Sequence, residues 1–398
     1  MWNKVISRGR FLAGAAAAAG TLLAAAPAAG APATARRGPA SPRRGLTYRG
    51  VMYECADGET PHTGWDRARM RADMRAIRRR LHANSVVVFG TGVDRMTATA
   101  TEAAGQGMHV WLQPRLGDRP EREILDHLAE TGRRAERLRR QGARVHLSVG
   151  CEFVLFVPGI VPGDTAVERI QNMIKGNWDP EKAQRLLDRF IAEAARTGRR
   201  VFTGPLTYGA GHGDTVDWRL FDIVGVNYYS YFADPAGYVK ELAPYRKWGK
   251  PVAVTECGTC TFEGAPEAGG MGWDVVDYGG PEPEIRGDLR RGEHVQARYL
   301  AQVLEVFERM NLHAAMVYQF VTPDAPHRRE PRHDLDMAGY SLTKAIWKSR
   351  DAPTPSWHWA PKESFHTVAR HFARAAGGVH RSEPASSADL SPGGGRTP

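Results

Sequence analysis

Cysteine is scarce in this chain: four of 398 residues, Cys55, Cys151, Cys257 and Cys260. Thiolate zinc sites want paired Cys-x-x-Cys motifs or nearby histidines. Here one such pair, Cys257 and Cys260 in VAVTECGTC, stands alone. A redox pair would open a helix after a strand, whereas this one leads into a glycine-containing loop. Buried thiols, or one disulfide, are the readings left. A Gly-rich phosphate turn is missing as well. The first strand-like run ends in MYECADGET, so an open dinucleotide-binding sheet lacks its fingerprint. Net positive charge is thin outside the N-terminus. Residues 1–48 hold seven basic side chains and no acid, so the net charge of +10 leaves 10 − 7 = +3 for the other 350 residues. That excludes a body-wide field for nucleic-acid backbones. After the N-terminus no apolar run is long enough to span a bilayer.

What is present begins with a targeting pattern. Lys4, Arg8 and Arg10 precede an alanine-rich apolar stretch, and Ala29-Gly30-Ala31 and Ala33-Thr34-Ala35 offer small-residue cleavage sites. Residues 1–35 are expected to be an export signal, 36–47 a Pro/Arg-rich linker, 48–377 one domain, and 378–398 a disordered Ser/Pro/Gly tail. The expected product is a secreted protein without stable membrane insertion once the signal is removed.

Between 48 and 377 short β-rich runs alternate with amphipathic helices. Eight strand candidates fall at 49–55, 85–90, 109–116, 144–152, 200–208, 221–229, 251–256 and 313–320. Met70, Met74, Ile77 and Leu81 recur at helical spacing, as do Leu186, Leu187, Phe190 and Ile191. Eight strands with crossover helices predict a (β/α)8 TIM barrel, a single domain. Long connections follow the fourth strand (153–179) and the seventh (258–292).

A barrel of this kind does its chemistry at the C-terminal strand ends. Two glutamates end buried-looking strands there: Glu152 in LSVGCEF on strand four and Glu256 in VAVTEC on strand seven. Burying two carboxyls together is costly without a purpose. One use is well defined: a protonated carboxyl donates to a leaving oxygen, while an ionised one attacks a sugar carbon or activates water. Two hydrogen-bonded structural glutamates are the bland reading. Other strand ends offer Tyr53, Gln113, Arg115, Asn227, Tyr228 and Tyr318, and the seventh loop offers Trp273. Arg115 suits either a substrate hydroxyl or a rim ion pair. Asp324, His327, His333, Asp334 and Asp336 after strand eight read as a solvated loop before they read as a metal site; His212 reads as a loop residue.

These positions resemble the (β/α)8 superfamily of retaining glycosidases. The resemblance implies Glu152 as acid/base, Glu256 as nucleophile, Tyr228 as the tyrosine that holds the nucleophile, a carbohydrate substrate, and no cofactor or metal. MHVWLQPRL, GCEFVLFVPGIVPGD, DIVGVNYY, EAGGMGWDVVDY and DLDMAGYSLTK are also similar to an actinobacterial family labelled "abortive infection protein". The superfamily usually carries Asn before the acid/base, where it binds the sugar 2-hydroxyl. Cys151 occupies that position here, and a thiol is a weak donor. The alternative is a carbohydrate-binding or phage-defence-associated barrel without activity.

Overall fold

The computed structural model describes residues 45–55, 64–211, 214–348 and 356–377. The expected signal, the tail, His212 and the linker up to residue 44 lie outside the described residues, while Leu46, near the linker's end, is buried. Eight parallel strands close a barrel: β1 (Tyr48–Cys55), β2 (Ser85–Gly90), β3 (His109–Pro114), β4 (Val145–Cys151), β5 (Leu206–Gly211), β6 (Val224–Tyr228), β7 (Val252–Cys257) and β8 (Ala314–Val317). The (β/α)8 architecture is therefore as expected. β5 starts later than expected because Arg200 and Val201 extend the helix before it, Pro180–Val201. That helix buries Leu187, Phe190, Ile191 and Ala194, a repeat of three and four residues. Each large apolar side chain so buried contributes about 1.5–3 kcal/mol.

Both long connections contain structure. Residues after β4 form short helices Phe153–Phe156 and Ala166–Ile174, the second closed by a capping box between Thr165 and Glu168. The connection after β7 carries a two-stranded antiparallel pair, Val276–Asp277 with Glu284–Ile285. Beyond β8 a three-stranded sheet (Val321–Pro326, Thr343–Trp347, Trp357–Pro361) leads to the helix Glu363–Gly377.

The barrel interior has two polar ends. At the N-terminal floor, Tyr48, His109, Trp111, His146 and His313 pack ring against ring, mostly edge-on. His109 and His146 centroids lie 4.2 Å apart, Trp111 and His146 4.5 Å, and Tyr48 and His109 4.3 Å. Burial holds these imidazoles neutral: it lowers His109 to about 3, with Arg144 adding to the effect, and His146 to about 2. Both ring nitrogens of His109 and Nδ1 of His146 are buried without a hydrogen-bond partner.

Candidate active site

The mouth is built from the C-terminal ends of β3, β4, β6 and β7 and the turns that follow them. Strand side chains alternate between faces, and in two strands that alternation is broken just before a glutamate. β7 gains one residue against β6 between Val254 and Glu256, since Val226 pairs with Val254 and Asn227 with Glu256. β4 gains one against β5, since Ser148 pairs with Thr207 and Cys151 with Gly209. Such bulges re-aim the side chain that follows. Thr255 and Glu256 thus both reach mouth residues. Glu152, one residue past β4, sits at φ 41°, in the left-handed region that glycine favours. Its backbone N–H donates to the Gly209 carbonyl at 2.8 Å. A Cβ on Gly209 would fall 3.0 Å from Cys151 Cβ and 3.1 Å from Asn227 Oδ1, so the bare glycine leaves room for the site.

Both glutamates are buried, Glu152 at 1% and Glu256 at 0% exposure, yet their surroundings differ. Glu256 Oε1 accepts from Arg115 Nη2, and Oε2 accepts from the Tyr229 hydroxyl at 2.8 Å. Arg115 is itself buried and sits over the Phe89 ring at 4.2 Å; its Nη2 also donates to Gln113 Oε1 at 2.6 Å. Glu152 Oε1 accepts from Asn227 Nδ2 at 3.1 Å, while Oε2 is buried with no partner. Burial pushes Glu152 up to about 8, and the Glu256 charge adds to the rise. Burial raises Glu256 too, opposed by Arg115 and the Tyr229 hydroxyl. The donors decide where the charge rests: Glu256 has a guanidinium and a phenol, Glu152 one amide. These partners favour the charge on Glu256 and the proton on Glu152.

Not every expected residue reaches this site. Tyr228 does not hold Glu256; its hydroxyl donates to Glu241 at 2.6 Å, and its ring packs on Phe307 outside the barrel. Tyr229, the next residue and hence on the opposite face, makes that bond. Tyr53 is likewise on the outer face, donating to Asp73 Oδ2 at 2.9 Å. Asn227, Arg115 and Gln113 are in the mouth network. Gln113 Nε2 continues it to Ser148 Oγ at 3.3 Å, and Thr255 Oγ1 donates to Asn227 Oδ1 at 2.8 Å. Cys151 is buried beside the pair: burial pushes its thiol well up, and Arg115 opposes the rise. Trp273 and Tyr318 line a neighbouring cavity with Tyr278, Gln319 and Tyr340. Tyr340 meets Tyr229 edge-on at 5.4 Å and thereby joins cavity and site.

All four cysteines are buried free thiols. The loop after β8 is not solvated as expected. Asp334 and Asp336 are buried and paired with Arg291 at 2.9 and 2.8 Å, Lys362 reaches Asp336 at 2.9 Å, and His327 contacts Asp334 at 3.0 Å. Arg291 and Lys362 thus supply to the two carboxylates much of what solvent would otherwise have done. No helix among the described residues is long and apolar enough to cross a membrane.

The fold and site thus define a (β/α)8 barrel with a buried, unequally partnered acidic pair at the ends of β4 and β7. Two solved structures are similar in fold. One is a GH113 β-mannanase from Alicyclobacillus acidocaldarius in complex with ManMIm, 17% identical, with a TM-score of 0.54, covering 83% of this chain and 98% of that one. The other is a GH113 β-1,4-mannanase, 12% identical, with a TM-score of 0.53, covering 82% and 99%. No protein-family model matches the chain, and no curated protein sequence matches it.

Proposed function

We propose that this chain is a glycoside hydrolase that cleaves an O-glycosidic bond with retention of configuration. Glu152 protonates the leaving oxygen and then, as a carboxylate, deprotonates the incoming water. Glu256 attacks the sugar carbon and forms the glycosyl-enzyme intermediate. Arg115 and Tyr229 keep Glu256 ionised and aimed. One observation carries the reading: two buried carboxyls at the ends of β4 and β7, one held protonated with a free oxygen and the other held charged by two donors. The likeness to the mannanases supports it at the level of fold. Export to the extracellular space is part of the proposal and rests on the N-terminal sequence alone.

The test is a screen of aryl glycosides and polysaccharides, β-mannosides included, with wild type beside Glu256→Gln, the product anomer being read by NMR. Cleavage with retention by wild type and loss in the variant is the expected result. Turnover unchanged by Glu256→Gln, or an inverted product, overturns the assignment.

A second reading, a barrel that binds sugar without cleaving it, is favoured by the sealing of both carboxyls and by the Cys151 thiol beside them. Binding of an oligosaccharide by wild type with no turnover of any glycoside would select it.

A further inference from the structure

The helix Arg67–Arg79 carries arginines at 67, 69, 71, 75, 78 and 79, followed by Arg80. Its apolar side, Met70, Met74, Ala76 and Ile77, faces the barrel. Arg67, Arg71, Arg75, Arg78 and Arg79 are exposed and recur every three or four residues. At about 1.5 Å of rise per residue they form a stripe roughly 18 Å long, with one charge about every 6 Å. The one acid within the helix is Asp73, which is buried and occupied by the Tyr53 hydroxyl and Trp359 Nε1, at 2.9 and 2.8 Å.

Apart from Arg71, the stripe makes no ion pair among the described residues. On the helix Pro180–Val201, Arg185, Arg189, Arg196 and Arg199 each meet an acid: Glu181, Glu121, Glu193 and Asp222. On Arg67–Arg79, Arg71 reaches Glu102 at 3.4 Å, while Arg75, Arg78 and Arg79 make no ion pair among the described residues. A row of like charges on one helix destabilises it modestly, so an external anion would relieve it.

We propose that this stripe is a docking surface for an anionic polysaccharide, one bearing carboxylate or sulfate groups on successive sugars. Guanidinium forks match such groups two bonds at a time. The stripe lacks what a lipid surface needs. The exposed large apolar side chains among the described residues are Ile174, Tyr231 and Val239, none on this helix. No apolar side chain is therefore offered on this helix for entering a lipid surface, and residues 49–398, with a net charge of +3, give a nucleic-acid backbone no wider basic field. The surface lies outside the acidic site and does not depend on its chemistry.

The experiment measures binding of the full chain to immobilised heparin and polygalacturonate, with duplex DNA and phosphatidylglycerol vesicles in parallel. Wild type is compared with a variant carrying Arg67→Gln, Arg71→Gln, Arg75→Gln and Arg79→Gln. Both share the N-terminal basic residues, so those cancel. Wild type is expected to bind a polysaccharide in a salt-sensitive way, and the variant about tenfold more weakly or worse. Arg185→Gln with Arg189→Gln, on the neutralised helix, is expected to change nothing. If the quadruple variant fails to fold, Arg75→Gln with Arg78→Gln carries the comparison, since both are exposed and unpaired. Absence of wild-type binding, equal binding by the variant, or tighter binding to DNA or vesicles than to either polysaccharide overturns the proposal.

Discussion

The two ends of the barrel bury polar groups by opposite means. The mouth uses charge: Arg115 and Tyr229 on Glu256, with Glu152 kept neutral beside it. The floor uses none: His109, His146 and His313 are driven neutral by burial and packed against Tyr48 and Trp111 as aromatic rings. Rings that shed their charge can pack as apolar filler and leave nitrogens unpaired, which costs stability but selects no chemistry. Carboxyls that share one charge are held ready to exchange it. The proposed chemistry uses only the mouth, and the contrast can be attacked from either side.

The sharpest break is Glu256→Gln, expected to lower kcat by about a thousandfold or more on any substrate found, with substrate binding retained. Next comes Arg115→Met. It leaves the Glu256 charge buried and unpaired, and denaturant unfolding should show a loss of about 3–5 kcal/mol; adding Glu256→Gln should recover much of that loss.

The two ends should also answer pH in opposite directions. Glu152 has a folded value of about 8 against an ordinary 4.5, so the native state holds the extra proton between them. Its contribution to stability is full below pH 4.5 and is lost as pH rises toward 8. The alkaline limb of kcat/KM should fall near the same value and disappear in Glu152→Gln. The floor histidines are depressed below 6.5, to about 3 and about 2, so the unfolded chain binds their protons first. Their contribution is full above pH 6.5 and is lost as pH falls toward 3. His109→Phe should flatten the acid side of a thermal-midpoint-versus-pH curve and leave the alkaline limb of activity alone.

The smallest effect separates two neighbours at the end of β6. Tyr229→Phe removes a hydrogen bond to a charged group, and kcat should drop roughly tenfold. Tyr228→Phe, whose hydroxyl serves Glu241 outside the barrel, should leave kcat unchanged.

That last pair shows where sequence reading succeeds and stops. Alternating β-rich and amphipathic runs gave the barrel, because period-two and 3.6-residue patterns survive in residue order. Both glutamates were legible because each ends an apolar run. The faces were misjudged at Tyr228 and Tyr53, although strict alternation from Asn227 would have pointed to Tyr229. At β4 and β7 alternation itself fails, because an added residue shifts each register; Gly150 within β4 is the kind of residue that marks such a bulge, whereas β7 carries none. Arg115 reads equally well as rim or core until its partner Glu256 is placed. The buried charges at Asp336 and Lys362 depend on contacts between segments far apart in the chain, which local composition does not encode.

The left-handed backbone at Glu152 has a consequence for how this molecule would change under selection. A non-glycine residue held there costs about 1–3 kcal/mol, and its carboxyl adds a buried polar oxygen with no partner. Glu152→Gly would relieve both at once. A population screened only for heat resistance would therefore drift toward losing the acid, and persistence of the glutamate in such a screen would measure how strongly activity is being retained.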